Sequence, residues 1–333
     1  MKAIFMTKGG AKAISNVYTA ATCEALSETL EFVEPLYSLD DLNARADELN
    51  EVEIAFSTWG MFPLTGEQIA KYFGKLKAVF YGAGTVQYFA RPFLEAGISV
   101  HSAWAANAVP VAEYTVAQII LANKGYFQRF HRSCNETWIN KSAKYDFTGN
   151  YKNKVGLIGI GMIGSLVAEM LKAYNFEVLA FDPFLPKEKA DALNLKMVSL
   201  EELFSECTVI SNHLANNPQT VGMLNGKLFD RMMPNACFIN TGRGAQVVED
   251  DLIAALEAEP YRVALLDVTL PEPPVPESKL YRLDNVFLSP HIAGSLGDEI
   301  QRMGEYMLEE YRRFAKVEPC KWQVSMKMLE TMA

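Results

Sequence analysis

The chain has 333 residues, half of them hydrophobic and 21% charged, with a formal net charge of -9 at pH 7. That length suggests two domains and is enough for two buried cores. The acidic balance argues against a nucleic-acid-binding surface, and an anionic substrate would need local positive charge in its site.

Met1 leads straight into KAIFM, without a charged n-region or a long apolar h-region, so no signal peptide is expected. No apolar run is read as long enough to span a bilayer. The five cysteines contain no C-x-x-C pair, and the four histidines lie far apart, so neither a disulfide framework nor a metal site is expected. A cytoplasmic location fits this usage.

From the N-terminus, strands are predicted at Lys2–Met6, Val52–Ser57, Lys77–Tyr81 and Ile98–Val100. Helical patterns lie between them, including Glu67–Phe73 and Phe89–Ala96. Alternation of this kind predicts a parallel sheet. The turn Gly82-Ala83-Gly84-Thr85 follows the third of these strands, where ligands of open α/β sheets bind. Pro110 is read as lying near the start of a long apolar helix that ends at Gly125 and crosses into the second domain. Residues 126–153 show no period and read as an oligomer arm or a surface loop.

The most informative stretch is KVGLIGIGMIGSLVAEMLKAYNFEVLAFD, residues 154–182. A strand ends in Gly159-x-Gly161-x-x-Gly164, a helical pattern follows, and a second strand ends on Asp182. Gly159 suits the tight turn, Gly161 lets a pyrophosphate reach the backbone, and Gly164 lets the helix pack close to the sheet. The free N–H groups and positive end of the helix suit an anion. A carboxylate at 182 accepts ribose hydroxyls and repels a 2′-phosphate, which favours NAD over NADP.

Further strands are predicted at Thr208–Ser211, Ala236–Asn240, Val263–Val268 and Val286–Leu288, making six in this domain, with a helix at Asp250–Ala258. Arg243, Glu272 and His291 each follow one of the last three strands, at the carboxyl edge where a cofactor would lie. Their types suit hydride exchange with a hydroxy acid. Histidine titrates near neutrality and can move the hydroxyl proton. A carboxylate can fix its tautomer, and arginine can bind a substrate carboxylate through its fork. Ile300–Lys316 is an amphipathic helix, and the tail after it is expected to return to the first domain.

With these motifs in place, the chain resembles the D-isomer-specific 2-hydroxyacid dehydrogenase family over nearly its whole length. The resemblance rests on the glycine turn with Asp182, Ser211-Asn-His213, Asn240-Thr-Gly-Arg243-Gly, Asp267-Val-x-x-x-Glu272-Pro and Pro290-His291-Ile-Ala-Gly. It implies two doubly wound α/β domains: a Rossmann NAD-binding domain over 107–297, and a flavodoxin-like substrate domain over 1–106 with 298–333. It implies Arg243 for substrate binding, Glu272 as partner of His291, and His291 as acid/base. Asp182 would meet the adenosine ribose and Asp267 the nicotinamide amide, with Met162, Ile163, His213 and Thr241 lining the cofactor. Gly82, Ala83, Gly84 and Thr85 would offer N–H groups to the substrate carboxylate. A homodimer acting on a small 2-hydroxy or 2-keto acid is implied, with no nucleic-acid or membrane partner.

The chain departs from the family pattern at Thr85-Val-Gln-Tyr-Phe, where an aspartate is frequent, and at Leu214-Ala215, where x-Pro usually follows the histidine. Glu272 argues against a formate dehydrogenase, which carries glutamine there. The chain's end at 333 argues against a feedback-regulated phosphoglycerate dehydrogenase. Two alternatives stand beside the NAD-linked enzyme. One is an NAD(H)-sensing regulatory protein on the same scaffold. The other is an NADP-linked glyoxylate or hydroxypyruvate reductase, which Asp182 disfavours. Phe62, Tyr81, Trp104 and Trp138 are aromatic residues that could shape a substrate pocket.

Overall fold

The computed structural model describes residues 1–130 and 147–330. Most of the expected arm, Trp138 with it, and residues 331–333 lie outside the described residues. The strands are β1 (Lys2–Met6), β2 (Glu31–Phe32), β3 (Ile54–Ser57), β4 (Ala78–Tyr81), β5 (Ser99–Ser102), β6 (Tyr151–Ile158) and β7 (Asn175–Phe181). They continue as β8 (Lys196–Met197), β9 (Val209–Asn212), β10 (Cys237–Asn240), β11 (Val263–Leu266), β12 (Val286–Leu288) and β13 (Gln323–Val324). The chain forms two compact units. Unit 1 is Met1–Asn107 with Ser295–Ala333, and unit 2 is Ala108–Gly294.

In unit 1 the sheet order is β13-β5-β4-β3-β1-β2. The first five strands are parallel, in the 2-1-3-4-5 order of flavodoxin-like sheets. The residues of β3 and β4, IAFS and AVFY, are buried on both faces, as covered parallel strands are. The helix Gln301–Ala315 turns Met303, Met307 and Tyr311 into this core. A Cβ at Gly304 would stand 2.1 Å from the Val17 carbonyl oxygen, so that glycine lets the helix lie directly on residue 17. The buried Glu310 carboxylate meets His101 Nδ1 at 3.0 Å and accepts from the N–H groups of Lys321 and Trp322. Its bonds bring the tail beside β5, where β13 pairs antiparallel.

In unit 2 the order is β12-β11-β10-β9-β6-β7-β8, all parallel. The sequence reading of six strands is corrected to seven. β8 is two residues long and exposed, too short to carry a period. Alternate residues enter the two cores. Phe238, Ala264 and Leu266 face one, and Cys237, Ile239, Val263 and Leu265 face the other. Each fully buried large apolar side chain contributes about 1.5–3 kcal/mol.

The long apolar helix runs Trp104–Asn123. Pro110 therefore stands in its interior and not near its start, because the alanine-rich residues 105–108 extend the helix backward. The helix is also long and apolar enough, by length and composition, to cross a membrane, which corrects the reading that no such run exists. Its apolarity has a packing cause: Ala112, Val116, Ile119 and Ala122 lie in the core of unit 2 with Val155 and Leu157.

Candidate active site

The strand order of unit 2 reverses between β6 and β9, and ligands of open sheets bind at such a switch point. Gly159 leaves β6 with φ +84, and a Cβ there would stand 2.9 Å from the His213 carbonyl oxygen. Any side chain would push the two strand ends apart. A Cβ at Gly164 would meet the Gly159 carbonyl oxygen at 2.1 Å, so the helix Met162–Leu171 can start only on a glycine here. Gly161 differs: a Cβ on it would meet nothing within 4 Å. It caps the helix without a side-chain cap bond and leaves its outer side open to an anion.

Asp182 stands at the end of β7 beside this turn. Its Oδ2 accepts from Ile160 N at 2.8 Å and its Oδ1 from Phe184 N at 2.9 Å. Both bonds fix the carboxylate, and each oxygen keeps acceptor capacity for a ribose hydroxyl. His213 is buried, and burial pushes its pKa down to about 4, so its ring is neutral at pH 7. Ser211 Oγ lies 3.0 Å from Nε2, while Nδ1 has no partner among the described residues. Met162 is exposed, Ile163 half-buried, and Thr241 buried with its hydroxyl 3.4 Å from that of Thr115. The open Gly161, the fixed Asp182 and the orphaned His213 nitrogen fit a dinucleotide.

The two residues expected to form the acid/base pair are in direct contact. His291 Nδ1 and Glu272 Oε1 are 2.6 Å apart, both partly exposed. His291 has φ +54, uncommon for a residue with a side chain. Glu272 lies between two cis X-Pro bonds, at Pro271 and Pro273. Asp267, expected to face nicotinamide, also holds the His291 loop through its carboxylate. It accepts from Ser289 Oγ at 2.6 Å, Ile292 N at 2.9 Å and Ala293 N at 2.9 Å. This loop role is not visible in the motif.

Arg243 is held by a buried amide network. Asn212 Nδ2 donates to Asn240 Oδ1 and Gln246 Oε1, and Gln246 accepts from Arg243 N. The Arg243 Nη1 donates to the Gly242 carbonyl at 2.7 Å. Burial lowers the guanidinium pKa, and the nearby Glu272 charge opposes that shift. A Cβ at Gly244 would stand 2.0 Å from Thr269 C, so the Arg243 loop presses on the segment leading to Glu272. Arg243, Glu272 and His291 are thus brought together at the carboxyl ends of β10, β11 and β12.

In unit 1 the Gly82–Thr85 turn follows β4. Gly82 N donates to Ser57 O at 2.8 Å, and Ser102 Oγ donates to the carbonyls of Ala83 and Gly84. The backbone N–H groups of Gly84 and Thr85 have no acceptor among the described residues, so they can receive an anion. Of the aromatics expected to shape a pocket, Phe62 and Tyr81 are buried in the core and Trp104 packs edge-on against Trp322. Trp59 and Tyr88, missed in the sequence, are exposed. Burial separates Trp59 from Phe62, and no local pattern distinguishes them.

A family profile described as "D-isomer specific 2-hydroxyacid dehydrogenase, NAD binding domain" matches residues 116–293, more than half of the chain. A D-3-phosphoglycerate dehydrogenase of Archaeoglobus fulgidus is 33% identical over 236 residues, covering 70% of this chain and 44% of that protein. One from Synechocystis sp. is 35% identical over 201 residues, covering 60% of this chain and 35% of that protein. The chain thus spans less than half the length of these relatives. The crystal structure of a phosphoglycerate oxidoreductase from Rhizobium etli matches with a TM-score of 0.81 at 21% identity, covering 98% of this chain and 99% of that one. That likeness establishes the fold.

Proposed function

The chain belongs to the D-isomer specific 2-hydroxyacid dehydrogenase family, and on that premise we propose that it transfers a hydride between NAD(H) and a D-2-hydroxy acid or its 2-keto acid. The carrying observation is the 2.6 Å contact of His291 with Glu272, with Arg243 within reach of the same carboxylate's charge.

When bound, NAD(H) supplies or accepts the hydride. Glu272 accepts from His291 Nδ1, which leaves Nε2 to give a proton to the keto oxygen or take one from the hydroxyl. Arg243 binds the substrate carboxylate and polarises the neighbouring carbonyl with its fork. In unit 1, taken by itself, the N–H groups of Gly84 and Thr85 would meet a substrate carboxylate. Asp182 accepts ribose hydroxyls, which selects NAD over NADP.

Loss of NADH absorbance with glyoxylate, hydroxypyruvate, pyruvate and phenylpyruvate tests this reading, with NADPH in parallel. NADH-linked turnover of one member supports it. Tight NADH binding without any turnover would favour a sensor and reject the enzyme. The free thiols of Cys23, Cys207, Cys237 and Cys320 support a reducing cytoplasm. The family resemblance supports a homodimer, which sedimentation tests.

A further inference from the structure

We propose that the carboxyl edge of the unit 1 sheet receives the substrate's side chain and selects a planar, apolar one, so that the preferred substrate is an arylpyruvate or its D-2-hydroxy acid. The proposal rests on the reading above that Gly84 and Thr85 meet the substrate carboxylate, and it concerns what surrounds that turn.

The strand order of unit 1 reverses between β1 and β3. Its own switch point therefore lies between the loops that follow those strands, Thr7-Lys8 and Thr58-Trp59-Gly60. The two loops are clasped. Thr7 Oγ1 donates to the Trp59 carbonyl at 2.7 Å, and Lys8 N donates to the Gly60 carbonyl at 2.9 Å. Gly60 has φ +87, and a Cβ on it would stand 3.1 Å from Thr7 Oγ1. Trp59 is thereby held at the switch point by its backbone. Thr58 Oγ1 donates to the Gly82 carbonyl at 3.2 Å, which joins the Trp59 loop to the substrate turn.

Exposure follows the same edge. The exposed aromatic side chains of unit 1, among the described residues, are Tyr37 at 38%, Trp59 at 46% and Tyr88 at 46%. Trp59 follows β3 and Tyr88 follows β4. Tyr37 follows Leu36, which bridges to Met6 at the end of β1. Elsewhere in the unit the aromatics are buried or half-buried. Exposed aromatics gathered on one edge beside a carboxylate turn mark a binding surface, where scattered ones would not. The Tyr88 hydroxyl meets that of Tyr81 at 3.2 Å, so Tyr88 offers its ring more than its polar end.

The charge pattern separates an aryl substrate from a phosphorylated one. Segments 58–65 and 82–89 contain no charged residue. Lys8 is the cation of these loops, and its Nζ lies 5.8 Å over the Phe62 ring. A phosphate ester, which is best held by several cations or an arginine fork, would find that one ammonium. A flat apolar group would find aromatic faces.

The test is kcat/KM with NADH for glyoxylate, pyruvate, phenylpyruvate and 3-phosphohydroxypyruvate, on the full chain and on Trp59→Ala, Trp59→Phe and Tyr88→Leu. Phenylpyruvate is expected to exceed pyruvate by about tenfold or more, the scale that a few matched apolar contacts give. Trp59→Ala is expected to lower the phenylpyruvate-to-glyoxylate ratio by about tenfold, and Trp59→Phe to retain most of it. A preference for 3-phosphohydroxypyruvate overturns the proposal, as does an unchanged ratio in both Trp59→Ala and Tyr88→Leu. If no keto acid reacts, the enzyme reading fails by itself. Calorimetric binding of phenylpyruvate to the NAD-loaded protein, a pair without a hydride to transfer, then judges the edge. Binding weakened by Trp59→Ala keeps the proposal, and absence of binding overturns it.

Discussion

The carboxylate of Asp267 bonds to residues on both sides of His291. His291 N donates to the Asp267 carbonyl at 3.0 Å, while the Asp267 side chain takes the N–H groups of Ile292 and Ala293 and the hydroxyl of Ser289. This wrapping supports His291 at φ +54, a conformation that costs a residue with a Cβ about 1 kcal/mol or more. Asp267→Asn would place an amide donor against one of these N–H groups. The expected result is a fall in stability of about 2–3 kcal/mol, the scale of lost charge-assisted bonds. Turnover is expected to fall more than NADH affinity, because the displaced residue is the proposed acid/base. Urea unfolding and steady-state kinetics on the same variant check both halves. Unchanged kcat would show that the wrapping does not position His291.

The pair itself makes a sharper prediction. His291→Ala removes the proposed proton carrier and is expected to lower kcat by about a hundredfold or more, within the range of general acid–base catalysis. Arg243→Ala is expected to lower kcat/KM by a similar factor, since on the proposed mechanism it removes both a carboxylate contact and carbonyl polarisation. In both variants NADH affinity, read by fluorescence titration, is expected to stay within about threefold, because neither residue belongs to the dinucleotide turn. Either variant keeping most of its turnover would refute the role given to that residue.

The reach of the sequence can be judged on these residues. Strands such as VALL and CFIN read clearly because both faces are buried, which leaves a continuous apolar run. The two-residue strands β2, β8 and β13 carry no period and could not be read. The glycine turn and the trio Arg243, Glu272 and His291 were legible because chemistry restricts the residue type at each strand end. The hold of Asp267 on the His291 loop was not, since it joins groups 25 and 26 residues apart through backbone N–H groups that every residue has. Trp59 and Phe62 are three residues apart and alike in composition. Only packing sends Phe62 into the core and leaves Trp59 out.

The glycines of the turn should separate folding from binding. Gly164→Ala would place a Cβ 2.1 Å from the Gly159 carbonyl oxygen, an overlap with backbone that only movement of the helix relieves. Overpacking of this kind costs about 1–3 kcal/mol or more, so thermal unfolding is expected to drop by several degrees. Gly161→Ala meets open space, and its melting temperature without ligand is expected to stay close to that of the unaltered chain. Its added methyl stands where a pyrophosphate must approach, so NADH affinity is expected to fall about tenfold or more. Calorimetry of both variants with and without NADH is the check. Unaltered NADH affinity in Gly161→Ala would remove the cofactor from this turn.

His213 predicts a particular response to acid. Its pKa is about 4 in the folded chain, lowered by burial, against the ordinary 6.5. Above pH 7 both states hold a neutral ring, and the difference contributes nothing. As pH falls below 6.5 the unfolded chain takes the proton first, so stability is lost progressively toward pH 4 and the loss levels off once the folded ring also protonates. The full window is worth up to about 3 kcal/mol. His213→Asn cannot titrate there, so its stability measured in urea is expected to decline less between pH 6.5 and 4 than that of the unaltered chain, by up to that amount. Equal slopes in the two proteins would mean that the ring is not buried in its neutral form, and would also weaken the case for its open Nδ1 as a cofactor contact.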